Sequence, residues 1–87
     1  MATYRIEWKP SALRELKRLD RQAIPRILEA VESLRLDPFP PGVRKIRGAE
    51  HTYRLRVGDY RVIYEIRQAY LVIQSVRVRP RKNAYRQ

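Results

Sequence analysis

Cysteine is absent from the 87 residues and histidine occurs once, at His51. Disulfide frameworks, thiol nucleophiles and the common zinc-ligand spacings are thereby removed together. No apolar run approaches the roughly 20 residues that a membrane-spanning helix needs, and Met1-Ala2-Thr3 leads straight into an alternating segment with no apolar signal-peptide stretch. The expectation is a cytoplasmic protein with no membrane association, no metal site and no other cofactor. Acidic side chains are also scarce: nine Asp and Glu stand against 20 Lys and Arg, a formal net charge of +11. Such an imbalance favours a polyanionic partner. The chain is long enough for one hydrophobic core and too short for two, so residues 1–87 read as a single domain.

The charge is unevenly spread. Residues 1–43 hold eight basic and six acidic side chains, whereas residues 44–87 hold twelve and three. Thr3-Tyr4-Arg5-Ile6-Glu7-Trp8 alternates with period two and predicts a strand that buries Tyr4, Ile6 and Trp8. Pro10 suits the first turn of a helix, and Ala12, Leu13, Leu16 and Leu19 recur at helical spacing over about residues 10–19, with Arg14, Lys17, Arg18 and Arg21 on the other face. A second stripe, Ile24, Ile27, Leu28, Val31 and Leu34, predicts a helix from about Ile24 to Leu36. Asp20 could cap that helix, but Pro25 would then fall past its first turn. Asp37-Pro38-Phe39-Pro40-Pro41-Gly42 excludes helix and central strand and marks the switch to sheet.

Strands are predicted at about 43–47, 52–57, 60–67 and 70–78. Gly58-Asp59 is a two-residue hairpin signal. If Val57 faces Tyr60, then Arg56 faces Arg61, Leu55 faces Val62, Arg54 faces Ile63 and Tyr53 faces Tyr64. Alternation puts Tyr53, Leu55, Val57, Tyr60, Val62 and Tyr64 on a core face, and Arg54, Arg56 and Arg61 on the opposite one. Like charges directly opposed across strands destabilise a sheet, and local rules of this kind are broken where function requires it. An anion between Arg56 and Arg61 would relieve the repulsion. Arg77, Arg79, Arg81, Lys82 and Arg86 follow, with Tyr85 among them. Arginine forks bind phosphate oxygens in pairs and a tyrosine ring stacks on an unpaired base, so the mixture suits single-stranded RNA.

At Lys45-Ile46-Arg47-Gly48, at Tyr53-Arg54-Leu55-Arg56-Val57-Gly58-Asp59-Tyr60-Arg61-Val62-Ile63-Tyr64, and at Arg81 through Tyr85-Arg86, the sequence resembles the RelE group of bacterial and archaeal toxin proteins. The likeness covers nearly the whole chain. Together with the element pattern it implies an α+β fold: an N-terminal strand, two packed helices, then a mainly antiparallel sheet of three to four strands with a short C-terminal tail. The resemblance implies a toxin that enters the ribosomal A site and cuts the bound messenger RNA. It also implies a cognate RelB-like antitoxin that wraps the toxin and holds it inactive. The implied reaction needs no metal, because the substrate's own 2′-hydroxyl attacks the adjacent phosphorus, leaving a cyclic phosphate and a free 5′-hydroxyl.

Carried over position by position, Arg54 and Arg56 stand where the family has basic strand residues, frequently lysines. Arg61 stands at its phosphate-binding arginine, Arg81 at its C-terminal catalytic arginine and Tyr85 at its C-terminal tyrosine. Arginine stays protonated in proteins, so Arg54 and Arg56 cannot act as the general base. Tyr85 is left as a base whose pKa the surrounding cations would lower, or as a platform beneath a nucleobase. Pro80 stands where many relatives carry histidine, so a histidine contribution is absent there. Lys45, Arg47, Arg77, Arg79 and Lys82 are expected to contact phosphates without taking part in the chemistry, and His51 to sit on a surface loop. Two other readings stay open at this point: a ParE-like inhibitor of DNA gyrase on the same fold, and a non-catalytic RNA- or ribosome-binding module.

Overall fold

The two hydrophobic periodicities separate into two layers, helices on one side and sheet on the other. The computed structural model describes residues 3–78. In chain order it contains β1 (Arg5–Trp8), α1 (Pro10–Lys17), α2 (Ala23–Ser33), β2 (Arg44–Lys45), β3 (Thr52–Val57), β4 (Tyr60–Arg67) and β5 (Tyr70–Val78). The sheet order is β1-β5-β4-β3-β2. The four strands expected in the second half are present and antiparallel; β1 adds a fifth, parallel to β5, with Arg5 opposite Tyr70 and Trp8 opposite Ile73. No helix among the described residues is long and apolar enough to cross a membrane.

Period two and the tight turn dictate the β3–β4 hairpin. Its register is the one read from sequence, from Val57 opposite Tyr60 to Tyr53 opposite Tyr64. Gly58 takes φ +59° at the first loop position, the primed turn whose twist matches the flanking strands. The helices bury Leu16, Ile27, Val31 and Leu34 against Leu55, Val62, Leu71, Ile73 and Val76 of the sheet. Each fully buried aliphatic side chain of this kind stabilises the fold by about 1.5–3 kcal/mol.

Three elements differ from expectation at their ends. α1 stops at Lys17 instead of 19, because the Arg18 and Leu19 amides bond back to the carbonyls of Glu15 and Leu16, three residues behind, and tighten the last turn. α2 begins at Ala23, one residue early, and ends at Ser33 instead of Leu36, because the Leu34 and Arg35 amides bond back to the carbonyls of Val31 and Glu32. Asp20 caps the preceding turn through the Gln22 amide, so Pro25 falls within the first turn of α2, where its missing N–H has no helical partner to lose. β2 is shorter than predicted, two residues instead of five.

The Pro-rich connection after α2 is pinned from below. Tyr64 is fully buried on the core face, and its hydroxyl donates to the Pro38 carbonyl. Burial, reinforced by Tyr53 and Asp37 nearby, pushes its phenol well above the ordinary value, so it remains a donor. Tyr53 stacks on Tyr64 with ring centres 6.0 Å apart and meets Phe39 in a T-shaped contact at 5.1 Å. Tyr64→Phe should therefore cost about 1 kcal/mol, the net worth of one hydrogen bond. Urea unfolding checks this: the midpoint falls at unchanged slope.

Candidate nucleic-acid interface

The helices cover one face of the sheet, and the other is left open. On the open face the strand registers gather the arginines into two rows. Arg56, Arg61 and Arg77 stand opposite one another across β3, β4 and β5; Arg44 and Arg54 stand opposite one another across β2 and β3, in a row that continues to Ile63 and Ser75. Arg77 reaches this face through an irregularity. Ile63 pairs with Ser75 but Tyr64 pairs with Ile73, so Gln74 is an extra residue on β5. The bulge reverses the alternation, and Leu71 and Ile73 before it and Val76 after it all point to the core. Without it Arg77 would face the helices.

Arg44, Arg54, Arg56 and Arg61 line one cleft of about 420 Å³ with Pro41 and Gly42. Arg54 and Arg61 are half-buried; Arg44 and Arg56 are exposed. Tyr64 helps to place the far wall, since the chain it holds at Pro38 continues to Pro41 and Gly42. Among the described residues no carboxylate pairs with any of these four arginines. Four cations are thus held together at an electrostatic cost with no counter-charge, and a multiply charged anion is the ligand that relieves it.

The structure brings Arg54, Arg56 and Arg61 together as the sequence indicated. Arg44 was missed, because its place opposite Arg54 follows from the β2–β3 register, which no tight-turn signal fixes in the sequence. Lys45 pairs with Tyr53 and lines, with Arg47 and Glu50, a separate shallow depression. Neither Lys45 nor Arg47 joins the cleft. His51 lies on an exposed turn, 3.7 Å from Glu50. Arg79, Arg81, Lys82 and Tyr85 fall outside the described residues. Among the described residues no three His, Asp or Glu side chains gather as metal ligands.

Sequence reasoning also overlooked Glu15. From α1 its carboxylate accepts the Val76 amide and the Arg77 Nε, each at 2.9 Å. Burial would raise its pKa, but the Val76 amide, the Arg77 guanidinium and the Ser75 hydroxyl outweigh burial and hold it below the ordinary 4.5. A carboxyl with a depressed folded pKa contributes stability that is present above its unfolded pKa and lost as pH falls through the folded one. The stability gap between the native protein and Glu15→Gln should therefore be widest at neutral pH and close below pH 4.5. Urea unfolding of both proteins across that range reads it.

The family described as the ParE toxin of the type II toxin–antitoxin system parDE matches residues 6–85. RelE1 of Methanocaldococcus jannaschii is 26% identical over 86 residues, covering 95% of this chain and 96% of its own. A chain of the archaeal RelE–RelB complex from Pyrococcus horikoshii superposes with a TM-score of 0.79 at 31% identity, over 91% of this chain and 98% of that one. A chain of the RelBE2 toxin–antitoxin complex from Mycobacterium tuberculosis does so with a TM-score of 0.78 at 26% identity, over 90% of this chain and all of its own. Fold, length and sequence agree in placing this chain in the RelE/ParE superfamily, as a RelE-type toxin of a type II toxin–antitoxin system.

Proposed function

We propose that the protein is a ribosome-dependent endoribonuclease that cuts messenger RNA in the A site, and that a RelB-like antitoxin holds it inactive. The observation that carries this reading is the cleft of four arginines on the sheet's open face, without carboxylate partners among the described residues. The 2′-hydroxyl of the nucleotide before the cut attacks the adjacent phosphorus, the bond to the 5′-oxygen breaks, and the products are a cyclic phosphate and a 5′-hydroxyl. Arg61, at the centre of its row, grips the scissile phosphate. Arg54 and Arg56 neutralise the charge that builds on the phosphorane, and Arg81 does the same or assists the leaving oxygen. This chemistry needs no metal.

The cleft offers no proton acceptor among its described side chains, since guanidinium does not deprotonate. Tyr85 supplies either the base or a stacking surface, and Tyr85→Phe separates the two roles. A phenyl ring still stacks but takes no proton, so a base role predicts a fall of about 10²- to 10⁴-fold in rate, and a stacking role predicts little change. The RelE–RelB complex among the similar structures supports the partner assignment, and the excess charge of the second half suits an acidic segment laid across it.

Incubation with programmed ribosomes, followed by mapping of new 5′ ends, tests the proposal. Cuts within the A-site codon are expected; intact messenger at stoichiometric toxin overturns it. A second reading, inhibition of DNA gyrase, is favoured by the ParE description of the matching family. It predicts intact messenger together with loss of supercoiling by purified gyrase.

A further inference from the structure

Among the described residues, Arg77 alone of the five arginines of the two rows has a carboxylate partner, and that contact fixes which end of its guanidinium is free. β1 ends at Trp8, opposite Ile73, so β5 has no strand neighbour on that side from Gln74 onward. Glu15 fills the gap. One of its oxygens takes the Val76 amide, which would otherwise lack a partner at the sheet edge, and the other takes the Arg77 Nε. Because Nε is the bonded atom, both terminal nitrogens keep their N–H donors, and nothing among the described residues occupies them.

Arg77, Ser75, Arg61, Ile63 and Val78 line a second depression, of about 400 Å³. It shares Arg61 with the main cleft. Neighbouring strands lie about 4.8 Å apart. Two anions seated on either side of Arg61 would be one to two such spacings apart, a gap that a single ribose bridges.

We propose that this depression is a second phosphate subsite, which takes the phosphodiester next to the one in the main cleft. Arg77 is its donor, Arg61 is shared between the two phosphates, and Glu15 is the positioning residue that holds Arg77. The proposal rests on the RNA reading above and adds the path of the strand. RNA crosses the β-strands, from β3 towards β5, along the row Arg56, Arg61, Arg77.

The test measures binding of 2′-O-methyl oligonucleotides, which cannot be cut, to the isolated toxin over a range of salt. A dinucleotide carries one phosphodiester and a tetranucleotide three. Arg77→Ala should leave dinucleotide affinity within about twofold, lower tetranucleotide affinity several-fold, and reduce the steepness of the tetranucleotide's salt dependence by about 0.7, the value for one phosphate contact on a single strand. Equal effects on both lengths, or none on either, overturn the second subsite. Glu15→Gln keeps an acceptor for the Val76 amide but loses the charge that holds Arg77, so the ratio of long to short affinity should fall. An unchanged or raised ratio overturns the positioning role. Arg54→Ala should weaken both lengths; if it weakens neither, the RNA reading fails along with the subsite.

Discussion

Replacing Arg61 by alanine should slow messenger cleavage on the ribosome by about 10²- to 10³-fold, the usual loss when one preorganised donor to a developing oxyanion is removed. The same change should leave stability level or slightly raised. Arg61 faces Arg56 on one side and Arg77 on the other, and two opposed like-charge pairs disappear with it. Opposite movements of activity and stability mark a residue kept for function. Single-turnover cleavage and urea unfolding read the two quantities on the same preparation. Cleavage within tenfold of the native protein would remove Arg61 from the scissile phosphate.

Arg81→Ala carries the second large expectation: a comparable fall in single-turnover cleavage, with ribosome affinity nearly unchanged. The separation follows from its assigned role. A cation that acts on the leaving oxygen or the phosphorane stabilises the transition state and not the bound complex, so its loss appears in the chemical step. Equal losses in cleavage and affinity would reduce Arg81 to a binding residue. This assignment rests on the sequence, because Arg81 lies outside the described residues.

What could be read from the sequence was local. Period-two alternation joined by Gly58-Asp59 leaves the β3–β4 hairpin one register, and that register delivers Arg54, Arg56 and Arg61 to one face. The helical stripes were equally plain, with ends displaced by backbone bonds that no apolar spacing reveals, such as the tightened turn at Arg18 and Leu19. What escaped was long-range or irregular. The partner of β1 is a strand more than 60 residues away. The extra residue at Gln74 inverts the alternation of β5 and turns Arg77 outward, yet nothing in its composition announces a bulge. Glu15 went unnoticed because its role depends on β5 running past the end of β1 and leaving an edge for its carboxylate to fill.

The cleft shows how four cations with no carboxylate partner among the described residues are kept on a protein of this size. Their repulsion is borne by a core on the opposite face, where Val62 and Tyr64 of β4 are wholly buried. The strand that carries Arg61 is therefore anchored by the side chains that alternate with it, and the arginines are preorganised by the packing beneath them.

The most direct measurement places in the A site a codon that is either all-ribose or carries one 2′-deoxy nucleotide immediately before the expected cut, and maps 5′ ends after exposure to the toxin. The arginine cleft acting on the substrate's own hydroxyl predicts cleavage of the first messenger and none of the second at that position. Cleavage of both, or of neither, would contradict it.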